Sequence, residues 1–339
     1  MTDRREFLKE MAASAAILGT ETRFALAATE APAVAAKSRV VIVTDPQLRV
    51  PGPGPNEQRV AALLDRAMQT WWGTHDPVDP WKRLVRPDQV VGIKVNTIAG
   101  KGLSTHVSLA AAVCARLQQA GIRAGDIIVW DRTSRELRAA GYTISTDPAR
   151  VRCFGTDAIG YERAEAVHGS SRTRFSKILS QCDVIINVPI LKNHSMSGVT
   201  LAMKNMFGVI NNPGDHHGDG SCDPYIADLN MHPEIRSKVR FVVGDLITSI
   251  YNGGPGFRPE YTWNYNGLMV GEDPVALDYT GWQIIERKRA EMKMNTLEQA
   301  GIPPRYIATA ADAAHRLGTN HPSRIDLIRT SLGRGEEHA

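Results

Sequence analysis

Short runs of apolar, β-branched residues alternate along most of the chain with segments whose apolar positions recur every three or four residues. The first kind reads as strands: "RVVIVTD" from Arg39, "QVVGIKVN" from Gln89, "DIIVWD" from Asp126, "VRCFG" from Val151, "DVIINVPI" from Asp183, "VRFVVGD" from Val239 and "GLMVGE" from Gly267. Most are nearly continuous in apolar side chains, as strands covered on both faces must be. The second kind reads as helices: "NEQRVAALLDRAMQTWW", "HVSLAAAVCARLQQAG" and "DPVALDYTGWQIIERKRAEM". Gly121 suits a helix C-cap, and Asp273 followed by Pro274 suits an N-cap with proline at the first helical position. Strands alternating with helices predict an α/β fold: a single large domain over residues 37–335, with a mainly parallel central sheet flanked by helices on both faces.

Ligands of open α/β sheets sit beyond the carboxyl ends of the strands. That rule selects Asp45, Lys94, Asn96, Asp131, Arg132, the "LKNH" from Leu191 and Asp245. Lys94 and Asn96 are two apart in a strand and share a face. Downstream of Pro189, the stretch "ILKNHSMSGVTLAMKNMFGVINNPGDHH" carries two lysines and three histidines, with no acid before Asp215. Its start is expected to be a loop bearing Lys192, Asn193 and His194, followed by a helix beginning near Ser195 or Ser197. On that helix Ser197, Thr200, Lys204, Gly208 and Asn211 would form one polar stripe. Lys204 must then either reach water with its stem or meet an anion.

These residues suggest chemistry on a small anion such as a carboxylate. Lys94, Lys192 and Lys204 would neutralise it. Asn96, Asn193, Thr200 and Asn205 would orient it, and Asp245 would orient a histidine or lysine. Lys192, His194 and Lys204 are the candidate catalytic groups, with His194 as proton donor, base or metal ligand. Further on, "NNPGDHHGDGSCDP" offers His216 and His217 as ligands for a divalent transition metal; a solvated glycine-rich turn fits the same residues.

Composition narrows the classes. The 339 residues are 42% hydrophobic and 6% aromatic, and the net charge of +4 is spread without a basic run. No nucleic-acid partner is expected. No Walker-type loop and no GxGxxG after a strand occurs, so ordinary nucleotide binding is not supported. The four cysteines, Cys114, Cys153, Cys182 and Cys222, contain no close pair for a zinc ribbon or an iron–sulfur cluster.

At the N-terminus, "DRREFLK" has the form of a twin-arginine export motif, with Arg4 and Arg5 as the pair. A short apolar stretch follows, then small-residue cleavage sites at Ala25-Leu26-Ala27 and Ala33-Val34-Ala35. Residues 1–36 are therefore expected to be a signal peptide recognised by the twin-arginine machinery. The mature protein is expected in the periplasm or outside the cell, without a membrane span. That route carries folded proteins, often with a cofactor already inserted.

The strings "VVGIKVNT", "CDVIINVPILKNHSMSGVTLAMKNMFGVI", "IADL", "VVGD", "GGPG" and "GEDPVALD" together resemble the family called domain of unknown function 362, over roughly Val40 to Arg287. The family pattern of K-N-H followed by G-x-T-x-x-x-K-N falls on Lys192, Asn193, His194, Gly198, Thr200, Lys204 and Asn205. The resemblance implies the domain and names no reaction. Some relatives carry a cysteine-rich ferredoxin-like module, and this chain departs from them. The expected function is an exported enzyme acting on an anionic small molecule by lysine and histidine acid–base chemistry. The alternative is a non-catalytic periplasmic accessory protein that binds a ligand or metal.

Overall fold

The computed structural model describes residues 37–52, 54–218 and 222–333. The signal peptide expected at residues 1–36 lies outside them. β1 (Ser38–Thr44), β2 (Val91–Lys94), β3 (Ile127–Trp130), β4 (Arg152–Cys153) and β7 (Val184–Asn187) form close to their predicted places, and before β7 stands a separate small hairpin the sequence does not announce, of β5 (Ala166–His168) and β6 (Ser171–Thr173). After these come β8 (Ile190–His194), β9 (Gly198–Thr200), β10 (Val239–Ile250), β11 (Thr262–Trp263), β12 (Gly267–Gly271) and β13 (Ile325–Ser331). The main sheet runs β13-β1-β12-β10-β7-β2-β3-β4. Pairing is parallel except around β12, which lies antiparallel between β1 and β10.

This is a single α/β domain with a mainly parallel sheet covered on both faces. Successive side chains of a strand point to opposite faces. Val41, Val43, Ile93, Val129, Ile186 and Val243 therefore pack against the helices Glu57–Trp72 and Val107–Gln119. Residues one step out of phase, among them Ile128, Trp130 and Ile185, meet the helices Tyr225–Met231 and Tyr306–Ala311. The long helix Pro274–Glu291 closes that face over β1, β12 and β9, capped by Asp273, whose side chain accepts from the N–H of Val275 and Ala276.

Two departures from the sequence reading matter. Strand β13 was not expected: Asp326, Arg329 and Thr330 interrupt its apolar positions, as an edge strand tolerates, because it pairs only with β1. The larger correction concerns residues 190–210. No helix starts near Ser195 or Ser197. Pro189 has no N–H for the ladder and stops β7, but the chain resumes immediately as β8, alongside the far half of β10, with Ile190 opposite Asp245 and Lys192 opposite Ile250. It then turns back as β9, antiparallel to β8. Gly198 takes a φ of +73° in this hairpin, with the carbonyl of Ile302 where a side chain would have to go. Only at Lys204–Val209 does a helical segment form, and it is a short 3-10 turn.

Candidate functional site

The hairpin replaces the expected helical stripe with a two-residue period. Lys192 and His194 share one face of β8, and Thr200 stands directly opposite Lys192 on β9. Beneath them end the parallel strands, where Lys94, Trp130 and Asn187 lie in one row across β2, β3 and β7. Between hairpin and strand ends is a cavity of about 220 Å³, lined by Lys94, Asn96, Asp131, Lys192, His194, Thr200, Lys204, Asn205, Phe207 and His217. Small-molecule pockets typically run to roughly 300–1,000 Å³, and this one lies at the small end. The volume suits a compact metabolite.

Three buried lysines meet here in different electrostatic states. Lys94, 1% exposed, donates to Asp131 Oδ1 at 2.7 Å and to its neighbour's carbonyl, that of Val95, at 2.7 Å. The other oxygen of Asp131 accepts from the N–H and hydroxyl of Thr97. Burial pushes the Asp131 carboxyl up, but the Lys94 charge and these hydrogen bonds outweigh it and hold it below its usual range. Gly208 permits this pair, since a Cβ there would come 2.6 Å from Lys94 Nζ. The charge of Lys94 is thus already neutralised, and it is not the free anion contact the sequence suggested.

Lys192, fully buried, has no such partner among the described residues. Its Nζ donates to Asn96 Oδ1 at 2.8 Å, a neutral acceptor, and burial lowers its pKa to about 7 despite the more distant Asp131 and Asp245. Asn96 in turn donates to Asn205, Asn205 to Asn187, and Asn187 to the carbonyl of Ala202. All three amides point the same way, so each presents its oxygen toward the lysine side of the chain. Asn187 was missed in the sequence; its only mark was a polar residue ending the strand "VIIN".

Lys204, 6% exposed, lies 3.5 Å above the centre of the Phe207 ring and 3.1 Å from His217 Nε2. Burial brings its pKa down to about 8. Its segment is fixed from behind by Asp278, which accepts from the N–H of Ala202 and Met203 and from the Tyr306 hydroxyl. Asp278 is itself fully enclosed, and burial raises its carboxyl to about 7.

The tautomer of His194 is set by its own turn. Its Nδ1 accepts from the N–H of Met196 and Ser197, so the neutral ring carries its proton on Nε2. Burial, with Lys204 and His217 nearby, pushes its pKa down to about 3. At neutral pH it is a fixed N–H donor and not a base in the free protein. Thr200 adds a buried hydroxyl that lines the cavity and has no hydrogen-bond partner among the described residues.

Of the other candidates, Asn193, Asp245 and His216 lie outside the cavity lining. Asn193, on the opposite face of β8, donates to the Gly198 carbonyl and accepts from the N–H of Gly254, tying down the loop 253–256. Asp245 accepts from both the N–H and Nδ1 of His106. His217 reaches the cavity, whereas His216 turns toward Ser171, so the two do not converge. Among the described residues no three His, Cys, Asp or Glu side chains are grouped to hold a metal. The donor set does not fit one either, because the free nitrogen of His217 faces a lysine. All four cysteines are free and buried. No described helix is long and apolar enough to cross a membrane.

Fold and cavity together define an α/β protein with a small, cationic cleft at the carboxyl end of its sheet. The family profile "Domain of unknown function (DUF362)" matches residues 91–283, and the chain belongs to that family. The match is narrower than the Val40–Arg287 span of the resemblance, yet contains every lining residue named above. No curated protein matches the sequence. Among solved structures, the lactate racemase apoprotein from Thermoanaerobacterium thermosaccharolyticum is similar at 9% identity and a TM-score of 0.44, over 73% of this chain and 57% of that one. A protein from Thermotoga maritima is similar at 12% identity and a TM-score of 0.39, over 71% and 59%. The chain therefore spans less than two thirds of either.

Proposed function

We propose that the protein is an exported enzyme that binds a small anionic metabolite, with a carboxylate as the favoured charged group, in the cavity between the β8–β9 hairpin and the strand ends. The observation that carries this reading is that Lys192 is completely buried beside a cavity and, among the described residues, answered only by a neutral amide. Leaving a cation uncompensated in such a place is costly, and an anion entering the cavity removes the cost. The vacant hydroxyl of Thr200 and the Nε2–H of His194 add two donors for its oxygens. Because Lys192 and Lys204 have pKa values near 7 and 8, both can exchange protons near neutral pH, which acid–base catalysis requires. Export by the twin-arginine route is part of the proposal and rests on "DRREFLK".

Calorimetry with acetate, propionate, pyruvate and inorganic phosphate tests the binding reading. Saturable binding of at least one anion, weakened in Lys192→Met, is expected; no binding of any of them by the folded protein refutes it. Cell fractionation of the protein carrying Arg4→Lys and Arg5→Lys tests export, and the double variant should stay in the cytoplasm.

A further inference from the structure

Lys204 and His217 meet in the cavity in a way that simple anion binding does not require. His217 Nδ1 lies 2.7 Å from the carbonyl oxygen of Pro213. A carbonyl only accepts, so Nδ1 carries the ring proton and Nε2 offers its lone pair to the lysine amine 3.1 Å away. An amine bonded to a base, with the base oriented by a third group, is the arrangement that activates a nucleophile. Across the cavity, Lys192 supplies positive charge, while Thr200 Oγ1 and the His194 Nε2–H supply donors suited to an oxygen that gains negative charge.

We propose that Lys204 is an imine-forming nucleophile served by His217, that its substrate is a small 2-oxo acid, and that the substrate carboxylate is held by Lys192; this rests on the anion-binding reading above. The Lys204 ammonium first passes a proton to His217 Nε2. The freed nitrogen lone pair attacks the carbonyl carbon, forming a C–N bond as the C=O π pair moves to oxygen. A proton moves from nitrogen to that oxygen, giving a carbinolamine. His217 then gives its proton to the carbinolamine hydroxyl, the C–O bond breaks as water leaves, and the nitrogen lone pair closes the C=N bond. Ammonium plus ketone gives iminium plus water, so charge and atoms balance and neither oxidant nor reductant is needed.

The test is reductive trapping of the full protein with pyruvate and cyanoborohydride, followed by peptide mapping, beside calorimetry with pyruvate and propionate. The expected result is one reduced adduct, on Lys204, whose formation excess propionate suppresses. Lys204→Arg should keep pyruvate binding and form no adduct, and His217→Gln should slow trapping at least about tenfold while changing pyruvate affinity less than about threefold. Wild-type protein that binds both acids but gives no adduct, or gives adducts spread over surface lysines, overturns the imine inference and leaves the binding reading intact. Failure of both acids and of phosphate to bind overturns both. Protection by propionate is read on wild-type protein alone, so the test stands even where a variant fails to fold.

Discussion

Lys94 and Lys192 are both buried at the same end of the same sheet, yet they are in opposite electrostatic situations. Lys94 stands on a regular parallel strand and faces Asp131, which a neighbouring strand delivers at 2.7 Å. Lys192 stands on the hairpin added beyond Pro189, and the strand beside it, β10, offers no carboxylate within ion-pair distance. The pairing inside the sheet completes a fold. The unanswered charge on the hairpin leaves room for something from outside. Burial of a lysine alone does not mark a site; burial without a counter-charge, next to a cavity, does.

The sharpest way to break this contrast is to remove the partner of Lys94. Asp131→Ala leaves a buried ammonium uncompensated and strips acceptors from Thr97, so a loss of about 3–5 kcal/mol in urea unfolding is expected. Lys192→Met should instead leave stability unchanged or raise it, because no ion pair is broken and the lost hydrogen bond to Asn96 is offset by removing a buried charge. Equal losses in the two variants would erase the distinction. Asp278→Ala comes next. It orphans the N–H groups of Ala202 and Met203 and should cost about 2–4 kcal/mol in thermal or urea unfolding. A loss no larger than that of a surface substitution would show that Asp278 does not hold the Lys204 segment in place.

Lys192 also gives the comparison a pH dependence. Its folded pKa of about 7 lies below its ordinary value of 10.5, so between those values the unfolded chain holds a proton that the folded protein has lost. Stability of the free protein should therefore rise with pH across that window, by an increment that Lys192→Met abolishes. Anion binding runs the other way. It needs the ammonium, so affinity should be highest below pH 7 and fall about tenfold per unit above it. At pH 6, Lys192→Met should weaken binding by about 1.5–3 kcal/mol, the range for a hydrogen bond to a charged group. A flat pH profile in calorimetry would mean that Lys192 does not supply the charge.

How these residues could and could not be read from sequence follows from the range of the interactions. Continuous apolar runs announced β1, β2, β3, β7, β10 and β12, because burial on both faces leaves a local mark. The strand-end rule then picked out Lys94, Asn96, Asp131 and Lys192, all of which line the cavity. The hairpin was hidden. Residues 197–211 carry a passable helical period, and what overrides it is distant: the Ile302 carbonyl against Gly198, β10 beside β8, and Asp278 on the N–H of Ala202. The orientation of His194 was equally unreadable, since it is set by two backbone N–H groups of a turn that the helical reading did not contain.

The smallest effect tests the finest feature. Among the described residues Thr200 Oγ1 is buried without a partner, whereas the hydroxyl of Thr97, beside the Lys94–Asp131 pair, bonds Asp131. Thr200→Val keeps the shape and removes only the vacant hydroxyl, so the free protein should be unchanged or more stable by up to about 1 kcal/mol. Binding of the anion should weaken by about 0.5–1.5 kcal/mol, the worth of one hydrogen bond. Thr97→Val should do the reverse, destabilising the free protein. If Thr200→Val lowers stability and leaves affinity alone, the hydroxyl serves the hairpin and not a ligand, and the contrast between the two sides of the cavity narrows to the lysines.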